Sequence, residues 1–155
     1  MREKVAQAAR DLDLDVEIRT LDTPTRTVAE AAEALAVDPG QIAKSLVFVA
    51  DGEPVVCVAS GGHRVDVDIL AMTFDCAQIQ QADPDQVRAA TGFPVGGVPP
   101  FGHGLPIVMD EALLEYDIVY AAGGDGNTLF GIDPRKLAEA TGARLIAVGA
   151  KPAAS

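Results

Sequence analysis

Two apolar runs separated by three residues constrain the fold of this chain most strongly. The runs are "SLVFVA" (45–50) and "PVVCVAS" (54–60), and they flank "DGE", which contains a glycine. Short valine-rich runs bounded by a turn signal are typical of strands, and the short connection predicts an antiparallel hairpin. Because the runs are apolar almost throughout, we expect other elements to cover both faces of this hairpin.

Helix signals occur on both sides of the hairpin. "EKVAQAARDLDL" (3–14) has apolar residues at helical spacing, and "VEIRT" (16–20) then alternates as a strand does. Thr27 and Glu30 have the spacing of a capping box ahead of an alanine-rich helix. Three further helix starts are predicted where Asp stands at the N-cap and Pro at the first helical position, in "DPGQI", "DPDQV" and "DPRKL".

Four more candidate strands follow the hairpin: "LPIVMD", "DIVYAA", "TLFGI" and "ARLIAVG". Strands and helices that alternate in this way predict a mixed α/β fold. We expect a curved, partly closed mixed β-sheet of six to seven strands surrounded by helices. No linker rich in Pro, Gly or Ser interrupts the pattern, so we expect residues 1–155 to form a single domain.

Charge and hydropathy exclude several classes of partner. The formal net charge is −11, from 23 acidic and 12 basic residues, and it opposes binding along a DNA duplex. Any contact with nucleic acid should be small and local. No apolar stretch approaches the roughly 20 residues that a membrane-spanning helix requires, so we expect no membrane partner. The N-terminus lacks the apolar core of a signal peptide, which favours a cytoplasmic location.

The cysteines and histidines give no sign of a metal or cofactor site. Cys57 and Cys76 lack CxxC spacing, and neither His63 nor His103 has a partner at the spacing of metal ligands. Cys57 lies between two valines, which favours a packed strand residue over a reactive thiol. We expect no metal and no cofactor.

Lys44 stands immediately before the first apolar run. Strand alternation places Lys44, Leu46 and Phe48 on one face, where burial would penalise the charged ammonium. One interpretation is that Lys44 ends the strand and extends its amine to water. The other is that it borders an apolar cavity, where a cation stabilises charge on a carbonyl oxygen or holds a phosphate or carboxylate. The residues alone leave both interpretations open.

Two glycine-rich segments are candidate ligand loops. "TGFPVGGVPPFGHG" (91–104) contains five glycines and three prolines, which predicts a stiff, shaped loop whose N–H groups could face a ligand. A tight connection between a helix and a strand explains it equally well. "AAGGDGN" (121–127) is typical of a hairpin turn and lacks the Lys and Ser/Thr of a phosphate-binding loop.

Several of these segments together resemble the YbaK/ProX family of aminoacyl-tRNA editing domains. The resemblance runs over about residues 23–148 and includes Lys44, a GxxxP pattern at Gly96–Pro100, and "GGHRVD" and "YAAGGDGNTLFGIDPRKL". It implies a compact mixed α/β domain, curved around a small pocket, that hydrolyses the ester of a mischarged tRNA. Such domains are freestanding or attached to prolyl-tRNA synthetase.

The resemblance also implies roles for particular residues. It implies that Lys44 is the functional, catalytic lysine, that the acceptor end of the aminoacyl-tRNA is the partner, and that prolyl-tRNA synthetase is a second candidate partner. The residues implied to bind the substrate are the loop and pocket-edge positions Arg26, Thr27, Gly96, Gly97, Val98, Pro99, Pro100 and Gly123. Ala122 departs from the family pattern, because relatives often have a hydroxyl residue at this position before the glycine pair.

These features predict a trans-editing deacylase that removes a small amino acid, such as alanine, from tRNA-Pro or a similar tRNA. The alternative is a non-catalytic module that binds an aminoacyl end or a small acyl ligand, and the absence of a hydroxyl at Ala122 favours it slightly. A third hypothesis is a thiol-dependent hydrolase that uses Cys57 as its nucleophile.

Overall fold

The computed structural model describes residues 1–22, 25 and 27–149. Within these residues the helices are α1 (Arg2–Asp11), α2 (Val28–Leu35), α3 (Val67–Thr73), α4 (Pro84–Thr91) and α5 (Pro134–Thr141), with 3-10 helices at Pro39–Gln41 and Glu111–Glu115. The strands are β1 (Arg19–Thr20), β2 (Ala43–Ala50), β3 (Glu53–Ser60), β4 (Ile79–Gln81), β5 (Ile107–Asp110), β6 (Val119–Ala122), β7 (Thr128–Ile132) and β8 (Arg144–Ile146).

The predicted hairpin is confirmed. β2 and β3 pair antiparallel along their whole length, from Ala43 opposite Ser60 to Ala50 opposite Glu53. The turn residues Asp51 and Gly52 both have positive φ, 47° and 84°. A two-residue turn with positive φ at both positions matches the twist of the strands that it joins, and Asp-Gly is a favoured sequence for it.

The prediction of one curved, partly closed sheet of six to seven strands is wrong. The described strands form two open sheets, with the orders β4-β2-β3-β5-β8 and β1-β7-β6. Between the two sheets, the described residues form one isolated parallel bridge, from Ile42 just before β2 to Tyr120 of β6. The reason is packing: apolar residues of the smaller sheet, such as Val119 and Phe130, enter the same core as Val47 and Val56 of the larger sheet. The sheets therefore cover one core between them instead of continuing one ladder.

The two faces of the hairpin belong to different clusters, as its apolar composition requires. The first face packs with Val5 and Ala9 of α1 and with Phe93 and Phe101. The second face, which includes Phe48 and Cys57, packs against Leu70 of α3 and against Val148. α3 and the edge strand β4 were not predicted from the sequence.

The predicted helix starts have mixed outcomes. Asp83 and Gln86 form a complete capping box at the start of α4, and Asp133 accepts from the Arg135 N–H at the start of α5. "DPGQI" begins only a three-residue 3-10 helix, because the chain enters β2 two residues after Gln41. Thr27 caps α2, with its Oγ1 accepting from the Glu30 N–H at 3.1 Å. Of the predicted strand at 16–20, only β1 pairs with a neighbour, β7.

A buried carboxylate joins the ends of β3 and β5. Asp110 is fully buried and accepts from the N–H groups of Ser60 at 3.1 Å and of Ala112 at 3.0 Å. His63 Nδ1 lies 2.9 Å from the same carboxylate. These contacts fix the loop that follows β3 beside the start of the 3-10 helix at Glu111–Glu115. No helix in the described part of the chain is long and apolar enough to span a bilayer.

We expect Asp110→Ala to lower the free energy of unfolding by about 3 kcal/mol, because it leaves buried donors without an acceptor. Asp133→Ala is the matched control, since Asp133 caps a helix start in the same way but is partly exposed, and it should cost about 1 kcal/mol. Urea titration measures both values. Equal losses in the two variants would show that the buried contacts of Asp110 add nothing.

Candidate active site

A cavity of about 260 Å³ lies where β2 and β6 diverge. One wall is the segment from Ile42 to Val47, and the opposite wall comes from Tyr120, Ala122 and Leu129 of the smaller sheet. α2, α4 and the glycine-proline loop close the remaining sides with Ala31, Val87 and Val98. The walls are therefore predominantly apolar.

The edge of β2 that faces this cavity has no strand partner over several residues. Ile42 accepts a hydrogen bond from the Gly61 N–H, so alternation in the antiparallel ladder directs the N–H and C=O groups of Ser45 away from β3. On the β4 side, the Val47 carbonyl accepts from the Ala82 N–H at 2.9 Å and residue pairing follows from Phe48, whereas the bridge to β6 is at Ile42. The backbone at Ser45 therefore lies in the gap between two pairing regions.

Lys44 is partly buried and lines the cavity. It is the one charged side chain among the described lining residues, and it forms no ion pair within the described part of the chain. A cation that is partly screened from water and has no counterion interacts strongly with any negative charge that enters. The cavity can therefore stabilise an anion or a carbonyl oxygen that is gaining charge.

The glycine-proline loop supplies a stiff rim. Gly96 lines the cavity with φ of 84° and nothing within 4 Å of an added Cβ, whereas Gly97 is buried and an added Cβ would lie 2.6 Å from the Gly124 carbonyl oxygen. The Gly97 N–H donates to the Pro94 carbonyl at 2.9 Å, so this donor is used within the loop. Close contact between the two glycine-rich loops thus fixes the position of the rim.

The structure brings only some of the implied site residues to the cavity. Lys44, Thr27, Gly96 and Val98 line it. Four others are buried behind the lining: Gly97, Pro99, Pro100 and Gly123. Arg26 lies outside the described residues.

Other lining residues had no role in the sequence analysis. Val87 belongs to α4. The sequence predicted where this helix starts but could not predict which part of the fold it packs against. Ser45 follows Lys44 directly, and its Oγ is shielded from solvent and has no hydrogen-bond partner in the described part of the chain. A small polar residue within an apolar strand was the available signal for Ser45. Ala122, the position of the family departure, also faces the cavity.

The structure does not favour a nucleophilic or metal-binding role for the remaining candidate groups. Burial, followed by the charge of Asp110, raises the pKa of Cys57 to about 12, against a smaller lowering by Lys44. Burial lowers the pKa of His103 to about 4, and its Nδ1 accepts from the Leu105 N–H. Among the described residues, no three His, Cys, Asp or Glu side chains are grouped to hold a metal ion. The high pKa of Cys57 opposes the thiol-dependent hydrolase.

The chain matches the family model of the aminoacyl-tRNA editing domain over residues 22–140. YwhH of Bacillus subtilis (strain 168), an uncharacterized protein, is 32% identical over 126 residues, which cover 79% of this chain and 80% of YwhH. The proline–tRNA ligase of Moorella thermoacetica is 33% identical over 120 residues, which cover 76% of this chain and 21% of the ligase. The chain thus spans about a fifth of that relative.

Solved structures show the same similarity. The crystal structure of a candidate trans-editing enzyme for prolyl tRNA synthetase superposes with a TM-score of 0.90 at 38% sequence identity, covering 96% of each chain. A second structure, of a hypothetical protein, has a TM-score of 0.85 at 34% identity and covers 92% of this chain. The structural similarity therefore covers more of the chain than residues 22–140, which the family model matches.

We expect Gly97→Ala to destabilise the protein by about 2 to 3 kcal/mol, because its Cβ would meet the Gly124 backbone. Gly96→Ala should cost only about 1 to 2 kcal/mol, the strain of positive φ, because its Cβ would meet open space. Urea unfolding of both variants is the measurement. If Gly97→Ala is no less stable than Gly96→Ala, the two loops are not in contact.

Cys57 should resist alkylation at pH 8, because a thiol with a pKa of about 12 has a thiolate fraction of about 10⁻⁴ at that pH. Cys76, which is only partly buried, should react much faster. Mass spectrometry after iodoacetamide treatment distinguishes the two sites, and unfolding in urea should make their rates similar. Labelling of Cys57 at the rate of Cys76 in the folded protein would contradict its burial.

Proposed function

Because the chain belongs to the aminoacyl-tRNA editing domain family and is an aminoacyl-tRNA deacylase, we propose that it removes a small amino acid from mischarged tRNA-Pro or a similar tRNA in the cavity between β2 and β6. One observation carries this proposal. Lys44 is a cation without a counterion among the described residues, at the wall of a small and otherwise uncharged cavity.

Ester hydrolysis needs charge stabilisation at one oxygen. Water attacks the carbonyl carbon, and negative charge develops on the carbonyl oxygen. The bond to the ribose oxygen then breaks, and that oxygen takes up the proton that the attacking water loses, which leaves the free amino acid and the ribose hydroxyl. Lys44 stabilises the developing charge, and the apolar walls strengthen this interaction by excluding water. An aminoacyl ester is already activated, so no protein nucleophile is required. The neutral, buried Cys57 thiol agrees with that chemistry.

Cavity size supports a small amino acid. A volume of about 260 Å³ lies below the roughly 300–1,000 Å³ that is typical of sites for larger ligands. Val87 and Val98 line the same cavity as Lys44, and the buried Pro99 and Pro100 follow Val98 directly and limit the conformations of the loop. Because one methylene group changes the free energy of selection by only about 1 to 3 kcal/mol, a stiff wall is needed for useful discrimination.

The choice of tRNA rests on the similarity to known proteins. Similarity to a candidate trans-editing enzyme for prolyl tRNA synthetase and to proline–tRNA ligases supports tRNA-Pro as the substrate and prolyl-tRNA synthetase as a partner. The net charge of −11 favours contact with the acceptor end over contact along the tRNA body. The proposal includes residues 1–155 as a single domain that acts in the cytoplasm, where charged tRNA is used.

We expect Lys44→Ala to slow the deacylation of Ala-tRNA-Pro by 100-fold or more, in the range observed when one group that stabilises an oxyanion is removed. Lys44→Arg keeps the charge in a different shape and should retain part of the rate. Cys57→Ala is the control for an uninvolved buried residue, and its rate should stay close to wild type. The measurement is the release of labelled alanine from the tRNA under single-turnover conditions.

Two results would contradict the proposal. Deacylation by Lys44→Ala at the wild-type rate would remove Lys44 from the mechanism. If wild type binds the aminoacyl end without releasing the amino acid from any member of a panel of mischarged tRNAs, the chain is the non-catalytic binding module.

A further inference from the structure

Ser45 has a buried hydroxyl that makes no hydrogen bond to any of the described residues. Its Oγ is shielded from solvent and has no hydrogen-bond partner in the described part of the chain. The hydroxyl of Ser60, by contrast, donates to the Gly40 carbonyl at 2.8 Å. A buried polar group without a partner costs free energy that a serine-to-alanine change would recover. An unsatisfied hydroxyl on a residue that lines a cavity is a candidate contact for a ligand.

Ser45 lies where a ligand in the cavity can reach it. It shares a strand face with Ala43 and Val47, and all three line the cavity. The residue itself is only partly buried, so rotation of the hydroxyl to another staggered position about the Cα–Cβ bond can turn the oxygen toward the open space. The carbonyl of Ser45 lies in the plane of the sheet and is directed away from β3, toward the edge of β2 that has no strand partner at this residue.

The aminoacyl group has one part that the proposed function leaves without a binding partner. Lys44 takes the ester carbonyl, and the apolar walls take a small side chain. The α-amino group remains, and the described lining residues include no carboxylate to neutralise it. An α-amino group ordinarily has a pKa close to 8, and the nearby charge of Lys44 favours its neutral form. A neutral amine needs a partner that can both donate and accept.

We propose that the Ser45 hydroxyl binds the α-amino group of the substrate, with the Ser45 carbonyl as a second acceptor. A serine hydroxyl is both a donor and an acceptor, so it matches a neutral amine in either direction. This inference rests on the proposed function and deepens it. It makes Ser45 a specificity-determining residue that selects aminoacyl esters over acyl esters without an amine.

The test compares alanyl and propionyl esters on the same tRNA, because propionyl differs from alanyl only in lacking the amine. Wild type should hydrolyse the alanyl ester with the higher kcat/KM. Ser45→Ala should lower kcat/KM about tenfold for the alanyl ester, the size expected for one lost hydrogen bond, and should leave the propionyl ester unchanged. Ser45→Cys keeps a weak donor of similar size, so its kcat/KM for the alanyl ester should lie between the values of wild type and Ser45→Ala. If Ser45→Ala does not fold, Ser45→Cys replaces it in the test.

A stability measurement separates this role from a structural one. Ser45→Ala should keep or raise the melting temperature, because it removes an unsatisfied buried hydroxyl. Ser60→Ala is the matched control: it should lower the melting temperature and leave the ratio of alanyl to propionyl rates unchanged, because its hydroxyl has a partner outside the cavity. A lower melting temperature for Ser45→Ala, with an unchanged ratio of rates, would overturn the inference.

Binding of non-hydrolysable analogues tests the inference separately from turnover. Adenosine carrying a 3′-alanylamido group should bind more tightly than the 3′-propionylamido analogue, and Ser45→Ala should abolish this difference. Equal losses for both analogues would assign Ser45 to the carbonyl and overturn the inference, whereas an unchanged difference would exclude Ser45 altogether. If wild type hydrolyses neither ester but shows the binding difference, the proposed catalysis fails while the assignment of Ser45 stands.

Discussion

The separation of β2 from β6 after the Ile42–Tyr120 bridge is the constraint on which the rest of the site depends. Had the two strands continued to pair, their backbones would have filled the space that the cavity occupies. Instead, apolar residues from both sheets meet in one core, which fixes the two sheets relative to each other. The edge of β2 around Ser45 therefore faces a cavity and not another strand.

Placing a cation in this gap gives the site its chemistry. Lys44 precedes an apolar run, so its position is fixed by a strand that is well packed on both faces. None of the described lining residues is acidic, and the nearest buried carboxylate described above, Asp110, is already engaged by His63 and two backbone N–H groups. Lys44 therefore remains available for a substrate oxygen. The strongly acidic net charge opposes extended contact with a phosphate backbone.

Local patterns in the sequence predicted the parts of the fold that local forces determine. The Asp51-Gly52 turn and the capping residues Asp83 and Asp133 follow from hydrogen bonding and φ preferences within a few residues. The division into two sheets could not be predicted, because it depends on how distant strands share one core. The same holds for α3 and β4, whose short sequences give weak periodic signals.

Some features of the candidate site could likewise be predicted from local sequence, and others could not. Lys44 was visible as a cation in an apolar run, and Gly96 as part of a stiff loop. The burial of Gly97 against Gly124 and the unsatisfied hydroxyl of Ser45 depend on contacts between segments far apart in the chain. From the sequence alone, Ser45 cannot be distinguished from an ordinary strand residue, because its role depends on the gap beside β2.

A crystal structure with 3′-alanylamido-adenosine, a stable mimic of the charged tRNA end, tests the central claim most directly. The alanyl group should occupy the gap between β2 and β6, with its carbonyl oxygen within hydrogen-bonding distance of Lys44 Nζ and beside Gly96. An alanyl group bound elsewhere, or a Lys44 amine directed away from the carbonyl into solvent, would contradict the account.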